Sequence, residues 1–299
     1  QPGQFVTLRV PCAERPLLRC YSLSKLLGGD GVLRITVRRV PGGRASNWLL
    51  DNLQVGQRIE LLPPAGRLVP DDLDGDLLLL GAGSGITPLR AILEAALELG
   101  RGRVFLFYAS RDAASLIFAE ELADLAARHP ERLQLRIWLD AEQGVPSGPA
   151  IAAKIADWPQ GEAFVCGPQP FMDGASAALA ELGVKSDSIH LERFDAPVPA
   201  VPLGEPRQPL RSRLQVALDG RRHALDVPQG EVLLDAMEQA GLQPPSACRS
   251  GVCAACRCRV VEGSVSMRSN QVLSDQQVRQ GWTLACQAVP TSARLAVEY

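Results

Sequence analysis

Hydrophobic and polar positions change their spacing twice along the chain, which indicates three kinds of structure in succession. Over residues 1–70, short runs of alternating apolar and polar residues are separated by Gly and Pro turns. This pattern is typical of a small antiparallel β-barrel or sandwich. We predict strands here at 4–10, 32–40 and 58–62, and a helix-like segment at 48–52.

The middle of the chain alternates apolar strands with amphipathic helices. Residues 77–80 are all apolar, as in a parallel strand that is covered on both faces. A glycine-rich turn leads into a predicted helix at 88–99, which ends at Gly100. This alternation predicts an α/β domain with a parallel sheet. Its other predicted elements are strands at 104–108, 133–139 and 163–166 and helices at 118–128 and 172–182, the last of them capped by Gly183.

Five prolines within residues 196–211 predict a stiff, extended linker between the α/β part and the C-terminal part. From Ser212 onward, short strands and one helix surround a cysteine-rich loop. The predicted domains are therefore 1–72, 73–195 and 212–299, with the linker at 196–211. The chain has 299 residues, 46% of them hydrophobic, which is enough for compact domains of these sizes.

The cysteine spacing is the most specific signal in the chain. The pattern is C-x4-C-x2-C, with a fourth cysteine after 29 further residues, as in the plant-type ligand pattern of a 2Fe–2S cluster. Gly251 supports this assignment, because the backbone must curl around the cluster. A zinc site is the alternative, although structural zinc sites usually pair two short spacings or use histidine. The four candidate ligands are Cys248, Cys253, Cys256 and Cys286.

The remaining cysteines and the net charge indicate where the protein works. Cys12, Cys20, Cys166 and Cys258 show no disulfide-like framework, which favours the reducing cytoplasm, and Cys258 is expected on the strand after the cysteine loop. A formal net charge of −2 gives no reason to expect nucleic acid or an anionic membrane as a partner. No apolar run approaches the length needed to span a bilayer.

The glycine-rich turn contains Gly83 and Gly85 and is followed by Thr87 and Pro88. Glycines let a backbone approach a pyrophosphate, and a helix N terminus offers free N–H groups and the positive end of its dipole. Pro88, at the predicted first helical position, loses no hydrogen bond. Many α/β proteins need such a turn for packing alone. Its position between an apolar strand and an amphipathic helix therefore carries the prediction of a dinucleotide site.

Two segments of the first part offer further candidate contacts. Arg19, Tyr21 and Ser22 supply an arginine, an aromatic ring and a hydroxyl, which we assign to one face of a strand. That face can offer a phosphate contact, a stacking surface and a hydrogen bond to a ring system, although ordinary strand alternation explains the pattern equally well. Gly43 and Ser46 form a second candidate anion site, in which Ser46 is alternatively a helix N-cap.

Together these motifs resemble the ferredoxin–NADP reductase-type flavoproteins that carry a C-terminal plant-type 2Fe–2S ferredoxin domain. The resemblance covers essentially the whole chain, in the order flavin domain, nucleotide domain, ferredoxin domain. Besides the cysteine loop, five motifs carry it: Arg19-Cys20-Tyr21-Ser22 (flavin), Gly43 to Ser46 (flavin pyrophosphate), Gly83 to Pro88 (nicotinamide dinucleotide), Cys166-Gly167-Pro168 (beside the nicotinamide ring) and His190 to Phe194 (at the flavin).

The resemblance implies a multidomain oxidoreductase with an antiparallel β-barrel flavin domain, an α/β nucleotide domain and a β-grasp ferredoxin domain. Electrons are expected to pass from NAD(P)H through FAD and the 2Fe–2S cluster to an oxygenase component. FAD contacts are implied for Arg19, Tyr21, Ser22, Gly43 and Ser46. Contacts with the nicotinamide dinucleotide are implied for Gly83, Gly85, Thr87, Pro88, Gly167 and Pro168. The residues expected to frame the hydride-transfer site are Cys166, Glu192 and Phe194.

Within the family, residues 190–194, 248–258 and 284–290 most resemble the reductase subunits of bacterial phenylacetyl-CoA epoxidases. This implies a diiron oxygenase of phenylacetate catabolism as the electron acceptor, with the reductase monomeric on its own. A reductase for a Rieske oxygenase or a hybrid-cluster protein shares the same motifs. A non-catalytic scaffold that has lost its flavin is a third hypothesis, which a visible spectrum tests because flavin and 2Fe–2S clusters absorb at different wavelengths.

Two departures from the family pattern affect the flavin domain. Family members carry two barrel strands before the segment that matches residues 2–5, and the sequence begins at Gln1 without them. Leu68 stands where the family usually has an aromatic residue. Since a barrel is stable because it has no open edges, we expect this chain on its own to hold its cluster but to bind flavin weakly.

The residues after the strand at 104–108 predict the nucleotide preference. At this point of a dinucleotide fold an acidic residue binds the ribose 2′-OH, whereas an arginine favours a 2′-phosphate. Ser110 and Arg111 are the implied ligands, and Asp112 beside them argues in the other direction. We predict a higher kcat/KM for NADPH than for NADH in steady-state kinetics. A higher kcat/KM for NADH would contradict the assignment.

Overall fold

The computed structural model describes residues 1–14, 16–25, 31–158, 161–194 and 211–299. These divide into two compact units, and every contact described below lies within one of them. No helix in the described ranges is both long enough and apolar enough to cross a bilayer. The linker predicted at 196–211 lies outside the description except for its last residue, and the domain boundaries stay predictions. The units are Gln1–Val6, Tyr21–Ser46 and Gly66–Phe194 for the first, and Thr7–Cys20, Asn47–Ala65 and Asp195–Tyr299 for the second.

The N-terminal part contains strands β1 Phe5–Val10, β2 Leu17–Ser22 and β3 Glu60–Ala65, with helix α1 Arg44–Asn52 before β3. The strands form one sheet in the order β2-β1-β3. The strand predicted at 32–40 is wrong. Leu23 and Ile35 form a single bridge, but no strand in the described part pairs with this segment along its length. Its alternating apolar and polar residues therefore do not become part of a sheet. Helix α1 begins four residues before the predicted start at 48.

The middle part alternates strands and helices, as predicted. Its strands form a parallel sheet in the order β6-β5-β4-β7-β8. The sequence pattern missed α4, α5 and β8, which are too short to show a clear period. The elements are β4 Leu77–Ala82, α2 Ile86–Leu99, β5 Val104–Ser110, α3 Ala119–Arg128, β6 Leu133–Leu139, α4 Asp140–Gln143, α5 Gly148–Ile155, β7 Glu162–Cys166, α6 Gln169–Glu181 and β8 Ile189–Glu192.

Both faces of this parallel sheet are covered, which explains the unbroken apolar run in β4. Leu77 and Leu79 belong to a core formed with α2 and α3. Leu78 and Leu80 belong to a second core, formed with α5 and α6. Successive side chains of a strand point to opposite faces, so a central strand between two helical layers needs an apolar residue at every position.

The C-terminal part is the predicted β-grasp arrangement, a mixed sheet with helix α7 in its core. The sheet order is β10-β9-β15-β11-β13, in which β15 runs parallel to β9 and the other pairs are antiparallel. Cys258 is fully buried on β11, as expected. The elements are β9 Ser212–Leu218, β10 Arg221–Val227, α7 Leu233–Gln239, β11 Arg257–Glu262, β12 Val265–Met267, α8 Asp275–Arg279, β13 Trp282–Leu284, β14 Ala288–Pro290 and β15 Arg294–Glu298.

A single arginine fixes the C-terminal end of α2. The guanidinium of Arg132 donates to the carbonyl oxygens of Ala96 at 2.8 Å, Leu97 at 3.0 Å and Gly102 at 2.8 Å. The last carbonyl groups of a helix have no partner within the helix. Arg132 therefore adds charged donors to the last turn of α2 and to the loop after it, although the carbonyl of Ala96 also accepts from the N–H of Gly100 at 3.2 Å.

Replacing Arg132 by Met should destabilise the protein. Loss of a charged donor shared by three carbonyl groups is expected to lower the free energy of unfolding by about 2–3 kcal/mol, measured by chemical denaturation. The control is Arg128→Met, which removes an exposed ion pair with Asp124 (3.1 Å) and should change stability by less than about 1 kcal/mol. Equally small effects in both variants would contradict this role of Arg132.

Candidate functional site

The turn after β4 leads into α2 as predicted, but the helix starts earlier. Gly83–Gly85 form one turn of 3-10 helix, and α2 begins at Ile86. Pro88 is therefore the third residue of α2 rather than the first. Its missing N–H is still not needed there, because the first N–H groups of a helix have no partner within it. The hydroxyl of Thr87 donates to the carbonyl of Ser84 at 2.9 Å and so closes the turn.

The two glycines of this turn have different tasks. A Cβ on Gly85 would lie 2.1 Å from the carbonyl oxygen of Cys166, so Gly85 allows the turn to pack against the end of β7. Gly83 has a φ of +54° and no atom within 4 Å of the place where a Cβ would be. The open side at Gly83 leaves room for a phosphate beside the N-terminal N–H groups of α2. The turn thus fits a dinucleotide at Gly83, whereas Gly85 serves packing.

The two candidate nucleotide ligands after β5 differ in exposure. Ser110 is 4% exposed, and its hydroxyl forms a hydrogen bond with that of Tyr108. Arg111 has an exposed side chain, which bonds to Asp112 at 3.3 Å and to Ser115 at 3.0 Å. Of the two, only Arg111 is open to a 2′-phosphate, and its Nε and Nη2 atoms are engaged with Asp112 and Ser115.

Ser22, Cys166 and Glu192 come together although they are far apart in sequence. Strands β7 and β8 are parallel neighbours, and Cys166 lies opposite Glu192 in their register. The hydroxyl of Ser22, at the end of β2, forms a hydrogen bond with the Glu192 carboxyl. Ser22 and Cys166 are both buried. The three side chains therefore form one group at the carboxyl end of the parallel sheet.

Burial determines the protonation of this group. Removal from water raises the pKa of Glu192 to about 8, and the hydrogen bond with Ser22 acts in the opposite direction. Burial, and after it the neighbouring Glu192, raises the pKa of the Cys166 thiol well above its usual value. The Oε2 atom of Glu192 is buried without a hydrogen-bond partner in the described part of the chain. At neutral pH the group contains a protonated carboxyl and a protonated thiol. The Oε2 atom of Glu192 is left to form a hydrogen bond with a bound ring.

The flavin-type motif is divided between the two faces of β2. Arg19 and Tyr21 share a face, whereas Ser22 lies on the other face and is buried. The assignment of all three to one face is therefore wrong, because side chains alternate along a strand. Arg19 is exposed and bonds only to the carbonyl of Leu18 among the contacts described here, at 2.8 Å. The ring of Phe194 is 45% exposed and available to a ligand.

The candidate anion site before α1 depends on the backbone more than on Ser46. Ser46 lies inside α1, so it is not its N-cap. Its hydroxyl accepts a hydrogen bond from the N–H of Val40 at 3.3 Å, which closes the turn. A Cβ on Gly43 would lie 2.7 Å from that hydroxyl, so glycine is needed there. The remaining fit to an anion comes from the N terminus of α1, with Ser46 supporting the turn.

Gly167 and Pro168 connect β7 with α6. Pro168 occupies the N-cap position of α6, which begins at Gln169. A Cβ on Gly167 would lie 3.0 Å from the Cβ of Ala82 at the end of β4. The turns after β4 and β7 therefore pack closely at the same edge of the sheet.

The loop between α7 and β11 carries three of the four candidate metal ligands on a tightly curled backbone. Between Cys248 and Cys256, three residues have positive φ angles, namely Arg249, Gly251 and Ala254. The expectation for Gly251, with a φ of +80°, is confirmed. The N–H groups of Ser250 and Ala255 point to the sulfurs of Cys248 and Cys253, each at 3.5 Å. Hydrogen bonds to ligand sulfurs are one determinant of a cluster's potential.

Hydrogen bonds join the four candidate ligands in two pairs, and Cys253 forms a further one with Cys20 of β2. The thiol of Cys248 forms a hydrogen bond with Cys253, and that of Cys256 with Cys286. Over the described ranges, no three His, Cys, Asp or Glu side chains are arranged to hold a single metal ion. Two pairs of thiols suit a centre with two irons better than a mononuclear zinc site. The donor set therefore fits a 2Fe–2S cluster.

Sequence reasoning missed three polar residues that support these sites, namely Tyr108, Arg90 and Gln287. The hydroxyl of Tyr108 donates to the carbonyl of Gly83 at 3.2 Å. Gln287 is fully buried, and its amide nitrogen donates to the carbonyl of Arg249 at 2.8 Å. Arg90 is buried within the apolar face of α2. A charge inside an apolar helix pattern was the available signal for Arg90, and a polar residue directly after the last cysteine was the signal for Gln287.

Three family models match the chain in the predicted order. An oxidoreductase FAD-binding domain matches residues 1–69, and an oxidoreductase NAD-binding domain matches residues 79–177. A 2Fe-2S iron-sulfur cluster binding domain matches residues 216–291. The matches establish FAD, a nicotinamide dinucleotide and a 2Fe–2S cluster as the cofactors.

Relatives share this arrangement over the whole chain. The ferredoxin reductase component of 3-ketosteroid-9-alpha-monooxygenase from Mycobacterium tuberculosis is 45% identical over 304 residues, which cover 100% of this chain and 85% of that protein. A subunit of the 1,2-phenylacetyl-CoA epoxidase from Escherichia coli K12 is 34% identical over 316 residues, which cover 100% and 88%. The solved structure of phthalate dioxygenase reductase has the same fold, with a TM-score of 0.60 at 22% identity over 100% of this chain and 88% of that one. The chain therefore belongs to the family of NAD(P)H-dependent reductases that pass electrons through FAD and a 2Fe–2S ferredoxin domain to an oxygenase component.

Proposed function

We propose that this chain is the reductase component of an oxygenase that acts on a 3-ketosteroid. The observation that carries the proposal is the 45% identity, over the whole chain, to the reductase component of a 3-ketosteroid monooxygenase. The phenylacetyl-CoA epoxidase favoured by the sequence motifs becomes the second candidate acceptor. The 34% identity to a subunit of that epoxidase also extends over the whole chain, but it is lower.

Within the reductase, we assign hydride transfer to the group of Ser22, Cys166 and Glu192. Bound FAD would supply two-electron hydride chemistry with NAD(P)H, and a bound 2Fe–2S cluster would supply one-electron transfer. The hydrogen bond from Ser22 orients the Glu192 carboxyl. Because that carboxyl is protonated at neutral pH, it holds a proton at the site and places no negative charge beside a ring that receives electrons.

Other residues of the chain hold the bound groups in place. The open side of Gly83 and the N terminus of α2 receive the pyrophosphate of the dinucleotide, and Arg111 is the candidate for its 2′-phosphate. Arg19, Tyr21 and the turn at Gly43 are assigned to FAD. The exposed ring of Phe194 is assigned to the ring system. The cluster is assigned to Cys248, Cys253, Cys256 and Cys286.

Replacing Glu192 by Gln tests the hydride-transfer assignment. Stopped-flow reduction of the flavin by NAD(P)H should become about tenfold to a hundredfold slower, at unchanged FAD and iron content. Stability should change as well. The folded state keeps a proton up to about pH 8 that the unfolded carboxyl releases near its usual pKa of 4.5, so the parent loses stability as pH rises through this window. Across this pH window, the free energy of unfolding of the variant should fall by on the order of 1–3 kcal/mol less than that of the parent.

The matched control is Glu181→Gln, which changes an exposed glutamate at the end of α6 in the same domain. This control should reproduce the parent in flavin reduction and in the pH dependence of the free energy of unfolding. The assignment would fail if Glu192→Gln reduced its flavin within twofold of the parent rate.

Reconstitution with purified oxygenase components tests the acceptor. With NAD(P)H and a 3-ketosteroid, the reductase should support product formation by the ketosteroid monooxygenase at least about tenfold faster than it supports the phenylacetyl-CoA epoxidase on its own substrate, a discrimination of about 1.4 kcal/mol. Cys253→Ser should lose the cluster and product formation but keep dye reduction through the flavin. Cys258→Ala changes a buried cysteine outside the ligand set, and this variant should keep the cluster, product formation and dye reduction.

Each alternative outcome has a definite meaning. Faster product formation with the epoxidase would put the second candidate first. Loss of dye reduction together with the cluster in Cys253→Ser would contradict the order in which the flavin precedes the cluster.

A further inference from the structure

A buried arginine of α2 contacts the chain just beyond the flavin-type strand β2. The Nη1 atom of Arg90 donates to the carbonyl oxygen of Ser24 at 2.6 Å and lies 3.3 Å from a carboxyl oxygen of Glu94. Its Nη2 atom lies 2.5 Å from a carboxyl oxygen of Glu121. Arg90 is 5% exposed, so this guanidinium has almost no contact with solvent.

A second arginine and an aromatic ring complete this network. Arg34 bonds to Glu121 with its Nη2 atom at 2.8 Å. The guanidinium carbons of Arg90 and Arg34 lie 5.2 Å and 5.7 Å from the ring centre of Phe118. Phe118 has a φ of +63°, a left-handed conformation that a bulky residue keeps only where its surroundings fix it. Two arginines, two glutamates and this ring therefore define one arrangement.

Stability alone is a poor explanation for this network. The loss of hydration of buried charges offsets most of their attraction, and well-packed apolar residues often serve as well or better. An apolar side chain at position 90 would continue the apolar face of α2. What a guanidinium adds is a planar fork that fixes several oxygen partners at once. The network is therefore better explained as a device that sets position.

The partner that Arg90 positions is the segment that carries Ser22. Ser24 is two residues further along and fully buried. Its N–H donates to the carbonyl of Arg34 at 2.9 Å, and its hydroxyl pairs with that of Thr36 at 2.8 Å. Its carbonyl is the group that Arg90 binds.

The same network also reaches the glycine-rich turn. The N–H of Ile117, next to Phe118, donates to the hydroxyl of Tyr108 at 3.1 Å. That hydroxyl donates in turn to the carbonyl of Gly83 at 3.2 Å. The segment before α3 therefore contacts two regions. The N–H of Ile117 links it through Tyr108 to the glycine-rich turn. The ring of Phe118 lies against Arg90 and Arg34, and Arg90 binds the carbonyl of Ser24.

We propose that Arg90 is a positioning residue for hydride transfer, which fixes the Ser22 hydroxyl against Glu192 by holding the carbonyl of Ser24. The proposal rests on the assignment of hydride transfer to Ser22, Cys166 and Glu192. Arg90 acts through the backbone of residues 22–24 and touches no group of that site itself.

The test compares Arg90→Met and Arg90→Lys with Arg103→Met. Lys keeps the charge but lacks the fork. Arg103 is the matched control: in the same domain it pairs with Asp76 at 2.6 Å and lies 5.3 Å from the ring centre of Trp158, but it contacts no part of β2 in the described structure. Two quantities are measured on the full chain with FAD bound, namely hydrogen exchange at the Ser24 amide and the stopped-flow rate of flavin reduction.

Both Arg90 variants should exchange the Ser24 amide about tenfold faster than the parent, because the segment loses an anchor. They should also reduce their flavin about tenfold more slowly, because the displaced group orients the reaction rather than binding nucleotide. For the same reason, the NAD(P)H concentration that gives half of the maximal stopped-flow rate should stay within twofold of the parent value. Arg103→Met should match the parent in both measurements.

Unchanged exchange at Ser24 in Arg90→Lys would overturn the proposal, and so would faster exchange without slower flavin reduction. Arg90→Lys decides alone if Arg90→Met does not fold. Failure of the hydride-transfer assignment itself is seen separately, in Glu192→Gln, since hydrogen exchange at Ser24 does not depend on that assignment.

Discussion

The close approach of the β4–α2 turn to the end of β7 is the constraint on which the nucleotide part depends. It exists because Gly85 has no side chain, since a Cβ would lie 2.1 Å from the carbonyl oxygen of Cys166. Cys166 pairs with Gly81 on one side and with Glu192 on the other. The end of β7 therefore fixes the positions of both the glycine-rich turn at Gly83 and the Glu192 carboxyl. Any side chain at position 85 would have to separate the dinucleotide turn from the proposed hydride-transfer group.

The cluster loop solves a different physical problem, and largely within its own sequence. Three ligands lie within nine residues, and left-handed backbone at Arg249, Gly251 and Ala254 turns the loop around them. Only Cys286 arrives from elsewhere, between β13 and β14. Because these three ligands are neighbours in the sequence, their spacing is recognisable in the sequence. The nucleotide part instead assembles its group from β2, β7 and β8, which no spacing records.

This difference explains what could be predicted. The 77–80 strand and the cysteine ligand pattern were recognisable because each depends on neighbours in sequence. Ser46 and Ser110 were harder to interpret, since whether a serine faces a ligand or the core depends on contacts made only in the fold, with Val40 and Tyr108 respectively. The segment at 32–40 alternates like a strand, but over the described ranges it joins no sheet and forms a single bridge, between Leu23 and Ile35. Arg90 was missed because a helical pattern shows which face is buried but not which distant carbonyl a buried charge binds.

Two carboxyl groups in the nucleotide part, both at least partly buried, have pKa values shifted in opposite directions, and the two groups have different roles. Hydrogen bonding to Arg34 lowers the pKa of Glu121, so this group is ionised and forms fixed bonds with guanidinium groups. Glu192 has no cation among the causes of its shift, and burial raises its pKa to about 8. Charge is thus kept where it holds backbone in position, and the proposed hydride-transfer group stays neutral at physiological pH. An arginine placed beside Glu192 would remove that neutrality, because it would ionise the carboxyl and put a fixed charge pair next to the bound rings.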